Sequence, residues 1–459
     1  MSSVDLDTMP SISDTVAAVS EIFFYERASA HVLAGWLAKM PYYEDKSDQG
    51  IFAFFHMDRA LLLRERLSYY SSLGLSARTT SNARTLMITL DEAATPEAMV
   101  AGYSFVLEKL SLLYRDFCER VDNLLEENLL RLLNNEHLPR LEDQLNWTRQ
   151  KEIQGHDDFV AGLQECWRVR EEGEPLPLKD ALWKPVDRVP KPTRPPKAVW
   201  GIPGAWVAQS ENPFHIAADY AVYLINWIAS EYVTLEMVAR NSYEHPDMPW
   251  EFHWDMLNQT YDEGRHTHIF RSICRKCKVR QEILPITTLT YEKSYQFDGV
   301  APNSRKELMW RLLIQNTREI GPIQNFNVEV KFRKQEGQME LARLYDILMH
   351  DEGQHIQWAL KWIRYFNDDE GTLVEERKKA EDARGIGDRR EKFVKQYPGW
   401  HQKEAEIWNR REQLAIDLGK RKFLVREHYR RLGVTDDDLQ AMIDMGYIET
   451  WTSNEEGET

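Results

Sequence analysis

The chain reads as an all-α protein, and three observations predict this. Helical periodicity with few breakers runs through residues 14–38, 48–73, 96–133 and 136–170, and returns after residue 211. No convincing strand is longer than a short segment at 283–292. The pentapeptide Asp-Glu-Gly-x-His occurs at 262–266 and again at 351–355, each copy deep inside a helical stretch. With 459 residues, 42% of them apolar, the chain is long enough for two or three domains and a sizeable core.

Taken in order, residues 1–172 form a helical domain. Residues 173–210 form an extended linker or strap. There Pro175, Pro177, Pro185, Pro190, Pro192, Pro195, Pro196 and Pro203 stand among charged residues, and fixed φ angles with missing N–H donors exclude one regular element. Residues 211–366 carry the repeat on four helices. Asn212-Pro213 suits an N-cap and first helical position, opening a helix to about Ser242. The segment 245–249 turns the chain into a second helix over 249–276. A third spans 304–334, Glu336-Gly337-Gln338 makes a turn, and a fourth spans 338–366. Residues 367–459, rich in charge with scattered Trp and Tyr, read as a charged helical extension or a partner-docking arm.

The net charge of −16 is spread along the chain, which favours solubility and disfavours nucleic-acid backbones as partners. No run of eighteen apolar residues and no secretory pattern occurs, so a cytoplasmic protein without membrane contact is expected. Four cysteines are too few for a disulfide framework, and Cys274-Arg-Lys-Cys277 lacks the second pair of a zinc site.

Glu263 and His266 are three residues apart, as are Glu352 and His355, so each pair leaves one helix face with about 60° between side chains. One carboxylate and one imidazole per helix, twice, is how a four-helix bundle holds two metal ions in its core. Such a site needs two further carboxylates, one on the helix preceding each pair. Antiparallel helices joined by a short turn bring residues equidistant from that turn to one level. Glu263 lies about seventeen residues beyond the turn near 246, which selects Glu231; Glu236, about 140° round the helix, faces elsewhere. Glu352 lies about sixteen residues beyond the turn near 336, which selects Glu319, whereas Glu329 sits about 15 Å too close to the turn. Gly321-Pro322 leaves two alternatives. Either the helix is distorted beside Glu319, making room for substrate or dioxygen, or it breaks there and Glu329 becomes the ligand.

The halves agree with each other: Glu231 to Glu319 is 88 positions, Glu263 to Glu352 is 89 and His266 to His355 is 89. Four carboxylates and two imidazoles suit iron or manganese, and four anions balance two divalent cations. His268 and His350 point away from this set, and neither Asp346 nor Glu340 is needed to complete it. An echo of the spacing lies upstream. Glu26 to Asp58 is 32 positions and Glu108 to Glu142 is 34, with Leu61 and Leu145 where histidines belong, which suggests a degenerate, metal-free bundle. His31 and His56 offer the alternative of a mononuclear site there.

These residues resemble the ferritin-like di-iron carboxylate superfamily, which includes bacterioferritin, rubrerythrin, the small subunit of ribonucleotide reductase and bacterial di-iron monooxygenases. Asp262-Glu263-Gly264-Arg265-His266 matches the Asp-Glu-x-Arg-His form of the oxygen-activating members, while 351–355 departs in Gln354 for Arg. Glu231-Tyr-Val-Thr-Leu-Glu236 and Asn316-Thr-Arg-Glu319 are similar to an uncharacterised ferritin-like subfamily. The resemblance covers 211–366. It implies a ferritin-like four-helix bundle with a di-metal site, preceded by the second helical bundle. It also implies that Asp262 and Asp351 each accept a hydrogen bond from the imidazole on the other helix. The alternative for both aspartates is an ordinary solvent-facing position on the helix.

The implied activity is that of an oxidoreductase of monooxygenase type. Two iron ions, or manganese, would activate dioxygen as co-substrate to hydroxylate, desaturate or N-oxygenate a small organic molecule. Electrons would come from an external ferredoxin or reductase, since no Gly-rich dinucleotide fingerprint occurs in the chain. A homodimer is compatible with this reading. The alternative is a non-catalytic ferritin-like scaffold that binds a partner.

Overall fold

Ser11 opens the first helix, α1 (Ile12–Trp36). Its Oγ accepts from Asp14 N at 3.1 Å and the Asp14 carboxylate accepts from Ser11 N at 3.0 Å, a capping box. The computed structural model describes residues 11–70, 77–121, 126–185, 192–193, 218–276, 297–383, 435–437 and 440. They are mostly helical and fall into two compact units. Unit 1 is Met1–Pro190 with Ser242–Tyr261, and unit 2 is Lys191–Asn241 with Asp262–Thr459.

In unit 1, α2 (Tyr43–Tyr69) packs along α1. Strand β1 (Arg78–Thr80) leads into α3 (Ser81–Asp91), where the Thr80 hydroxyl accepts from Ala83 N at 3.0 Å. Thr95 caps α4 (Pro96–Arg120) in the same way, with Pro96 at the first turn. The single helix expected over 96–133 is instead α4 and α5 (Glu127–Leu132), and α5 runs through a π-helical turn, Leu133–His137, into α6 (Leu138–Arg149). Pro139 supplies the reason: it has no N–H for the carbonyl four residues back. The stretch expected over 136–170 stops at residue 149. Glu152 and Gly155 then take positive φ values of 48° and 82°, and α7 (Asp157–Arg168) follows.

Part of the proline-rich segment is more regular than its composition suggests. Strand β2 (Pro175–Pro177) pairs antiparallel with β1, Arg78 opposite Pro177 and Thr80 opposite Pro175. Both prolines sit at strand ends, where a missing donor costs least. Arg27 donates to Leu178 O at 2.9 Å and Trp183 Nε1 to Asp91 Oδ2 at 2.8 Å. The same Asp91 oxygen accepts from Tyr243 at 2.6 Å, so one buried carboxylate ties the strap to the Ser242–Tyr261 stretch of unit 1.

The interior of unit 1 holds a polar cluster. Glu26 accepts from His56 Nδ1 at 2.5 Å, Arg59 Nε at 2.7 Å and the Tyr114 hydroxyl at 2.7 Å. Arg59 also reaches Gln144 Oε1 at 3.2 Å, and His56 Nε2 is 2.7 Å from Tyr103. Of the four acids in the expected upstream set, only Glu26 faces inward. Asp58 pairs with Arg140 and Glu142 with Arg149, both part-exposed, and Glu108 is exposed. His31 does not join His56; its Nε2 lies 3.1 Å from Trp183 O. The periodicity located the helices but not which turn faces in.

Four imidazoles of this unit are buried as neutral rings. Burial, aided by the charge of Arg27 or Arg59, pushes His31 and His253 down to about 3 and His56 and His137 down to about 4. Unfolded, each takes up a proton near pH 6.5, so below that the unfolded chain binds more protons and stability falls with pH. The slope reaches about 1.4 kcal/mol per pH unit for each ring. Melting curves taken from pH 7.5 down to 4.5 are expected to show stability dropping below pH 6.5, by up to about 10 kcal/mol for the four rings together. A flat profile contradicts the buried neutral rings.

Unit 2 contains most of α8 (Ala218–Glu244), the latter half of α9 (Trp250–Lys276), α10 (Arg305–Gln335), α11 (Met339–Phe366) and α12 (Glu370–Ala383). Ser304 caps α10 through Glu307 N at 3.1 Å. Gly337, at φ 70°, closes its far end: Gln338 N donates to Arg333 O at 2.8 Å and Gly337 N to Lys334 O at 3.1 Å. This turn sends α11 back along α10. Pro322 lies inside α10, which nonetheless runs unbroken from Arg305 to Gln335. Trp310 on α10 donates to Glu376 on α12 at 2.7 Å.

Among the described residues no helix is long and apolar enough to cross a membrane. Asn212-Pro213, Cys277, the segment 283–292, the strap at 194–210 and nearly everything after Ala383 lie outside the described residues.

Candidate metal centre

Four helices of unit 2 each deliver a buried carboxylate to one place: Glu231 from α8, Glu263 from α9, Glu319 from α10 and Glu352 from α11. His266 and His355 join them, each three residues after its glutamate on the same helix face. All six are at most 4% exposed. They form two triads, Glu231 with His266 and Glu352, and Glu263 with Glu319 and His355. Within each triad the ligand atoms lie within 4.8 Å of one another.

The triads adjoin. Glu263 Oε2 is 3.5 Å from His266 Nδ1 while its Oε1 is 3.5 Å from His355 Nδ1. Glu352 repeats this, with Oε1 3.7 Å from His266 Nδ1 and Oε2 3.2 Å from His355 Nδ1. Two carboxylates thus stand between the imidazoles, and Glu231 and Glu319 sit at the ends, one per triad. Each ring turns its other nitrogen outward and across. His266 Nε2 donates to Asp351 at 3.0 Å and His355 Nε2 to Asp262 at 3.3 Å. A carboxylate can only accept, so the contact fixes Nε2 as the donor and leaves Nδ1 for the interior.

Arg265 completes the outer layer. Its Nη2 lies 3.0 Å from Asp262 and 2.5 Å from Asp351, one guanidinium clamping both aspartates. Gln354, at the equivalent place in the second repeat, is exposed. The substitution of Gln for Arg was visible in the motif, but not that one arginine serves both halves. Arg265→Gln is expected to weaken metal binding about tenfold, and Gln354→Arg in that background to restore it, because the repeat places residue 354 beside the same aspartates. Competition with a chelator measures both; an unchanged affinity in Arg265→Gln removes the clamp from the account.

The electrostatics show a cluster short of positive charge. Burial and the facing Glu231 push the Glu263 carboxyl well above the usual range, and burial with Glu352 does the same to Glu319. Burial opposes charge on Glu231 too, but hydrogen bonds from His266 and Glu263 hold it below its ordinary value. Both imidazoles are raised well above theirs against burial, His266 by Asp351 and Glu231, His355 by Asp262 and Glu352. Burying four carboxylates together is costly unless cations accompany them. Oxygen and imidazole donors in two adjoining triads could each hold a metal ion.

The sequence-selected residues therefore converge. Glu236 is buried but outside both triads, and Glu329, the rival to Glu319, accepts from Arg333 Nε at 3.1 Å. His350 is exposed and His268 half-buried, and neither belongs to a triad. Comparison of the chain with protein-family models, with curated proteins and with solved structures finds no match.

Proposed function

We propose that unit 2 is a ferritin-like four-helix bundle whose paired triads hold two iron ions, with manganese as the alternative, and that the protein is a di-iron oxygenase or oxidase of a small organic substrate. The observation that carries this is the pair of buried Glu/Glu/His triads sharing Glu263 and Glu352 between two imidazoles. Bound there, the metal pair supplies reductive activation of dioxygen: with two electrons and two protons from an external ferredoxin or reductase, one oxygen atom enters the substrate and the other leaves as water, or both leave as water in a desaturation.

The chain's own groups do the rest. Glu231 and Glu319 cap the two ends of the site, and Glu263 and Glu352 hold its centre. Asp351 and Asp262 orient the imidazoles and raise their basicity. Arg265, at 36% side-chain exposure, keeps the aspartates in register from the solvent side.

Unit 1 fits a second copy of the same plan without metal. Glu231 lies 205 positions after Glu26, Glu263 204 after Arg59, Glu319 205 after Tyr114 and Glu352 208 after Gln144. The four carboxylate positions of one unit thus correspond to a hydrogen-bonded Glu, Arg, Tyr and Gln in the other. In unit 1 the Arg59 guanidinium supplies the positive charge that a metal would bring.

Metal analysis of protein expressed aerobically with added iron tests the proposal, followed by dioxygen uptake by the reduced, iron-loaded form. About two ions per chain and consumption of dioxygen support it. A metal-free protein, or one whose loaded form leaves dioxygen untouched, contradicts it.

A further inference from the structure

The internal repeat relates not only the ligands but the two ends of the site, and the ends differ. At one end four rings meet, one from each helix. Trp227 lies four residues before Glu231, Phe270 four after His266, Phe326 seven after Glu319 and Tyr345 seven before Glu352. Trp227 and Phe326 are 4.8 Å apart by ring centroids, Phe326 and Tyr345 5.6 Å, and Trp227 and Phe270 stack at 6.3 Å. This end is plugged.

The same offsets that carry Glu231 to Glu319 and His266 to His355 carry Trp227 to Gln315, Phe270 to Ala359 and Phe326 back to Val238. Three rings thus become a carboxamide, a methyl and an isopropyl, all buried. Ile228, one turn before Glu231, becomes Asn316, one turn before Glu319. Asn316 is 0% exposed, about 60° round the helix from Glu319, and neither its Oδ1 nor its Nδ2 has a hydrogen-bond partner. The polar character continues along α10, where Glu307, Arg311, Gln315 and Glu319 recur every fourth residue in the interior. Arg311 pairs with Glu307 at 2.9 Å.

A fully buried carboxamide with both atoms unsatisfied destabilises the fold, and an apolar residue would serve the core better, as Ile228 does in the other half. We propose that Asn316 is a substrate-positioning residue, and that the substrate meets the metal pair from the Gln315 and Asn316 end. This rests on the di-metal reading of the site. The free donor and free acceptor select a neutral group that can both accept and donate, such as a carboxamide or hydroxyl. A carboxylate or an ammonium satisfies only one of the two atoms and adds a buried charge.

The test uses the full chain, azide as a small ligand of the iron(III)-loaded site, and acetamide as its competitor. In Asn316→Leu, azide affinity read from its charge-transfer band is expected to fall at least tenfold, and acetamide is expected to displace azide from the wild type only. Tyr345→Phe, at the plugged end, is expected to stay within twofold. The metal-free Asn316→Leu protein is expected to melt above the metal-free wild type, a readout independent of metal; Asn316→Ala replaces it in the titration if leucine does not fit. Unchanged azide affinity at full metal content, in the leucine variant or in the alanine variant that replaces it, overturns the proposal. Failure of the wild type to take up iron counts against the di-metal reading instead, and leaves the melting comparison to decide the role of Asn316.

Discussion

Glu263→Ala and Glu352→Ala are each expected to lose both metal ions, whereas Glu231→Ala or Glu319→Ala retains about one of two. The difference follows from where the oxygens lie. Glu263 and Glu352 each place one oxygen toward His266 and the other toward His355, so removing either opens both positions. Glu231 and Glu319 each serve one triad. Elemental analysis of the four purified variants distinguishes the cases. Equal loss in all four contradicts the division into central and terminal carboxylates. A second effect accompanies the first: ligand binding to the folded state alone stabilises by about 2.7 kcal/mol at a hundredfold excess over Kd, so variants that lose both ions should lose their metal-dependent rise in melting temperature.

Arg59→Met is expected to destabilise unit 1 by about 3–5 kcal/mol, the usual result of removing one partner of a buried ion pair. Glu26 and Arg59 are both 0% exposed and 2.7 Å apart. Burial alone would raise the Glu26 carboxyl, but Arg59 and His56 override it and hold it at about 2. That depressed value contributes stability above the unfolded pKa of about 4.5, lost as pH falls toward 2. Without the guanidinium the carboxylate keeps its burial and loses its main counter-charge. Glu26→Gln in the same chain removes the stranded charge, so the double variant is expected to be more stable than Arg59→Met alone. Chemical denaturation of the wild type, both single variants and the double variant measures this; additive losses contradict a coupled pair.

The geometry of the Glu/His cluster is legible in sequence because it rests on helical periodicity and turn symmetry. A step of three residues from Glu to His fixes a shared face, and equal distance from a turn fixes a shared level, so Glu231 and Glu319 followed from Glu263 and Glu352. The crossed pairs of Asp351 with His266 and Asp262 with His355 followed from the family resemblance. Unit 1 was less legible for a physical reason. Its interior cluster joins Glu26 and His56 to Arg59, Tyr103, Tyr114 and Gln144, and these last four are residue types that carry no ligand signature. Matching acids to acids picked Asp58, Glu108 and Glu142, which face outward. The π-turn at Leu133–His137 and the pairing of β1 with β2 depend on contacts distant in sequence or on one missing N–H at Pro139, and periodicity does not report either.

At Asn316 the fold gives the repeat a meaning that periodicity alone does not carry. In sequence Asn316 is one polar residue in a helix. Against Ile228, its counterpart in the first half, it is an amide kept in the interior without a partner.

X-ray absorption on the iron-loaded protein tests the central claim most directly, because two ions sharing Glu263 and Glu352 must be neighbours. A metal–metal vector of about 3.5–4 Å, with oxygen and imidazole nitrogen as the only first neighbours, is the expected result. Isolated ions with no metal neighbour, or sulfur in the ligand shell, would contradict it.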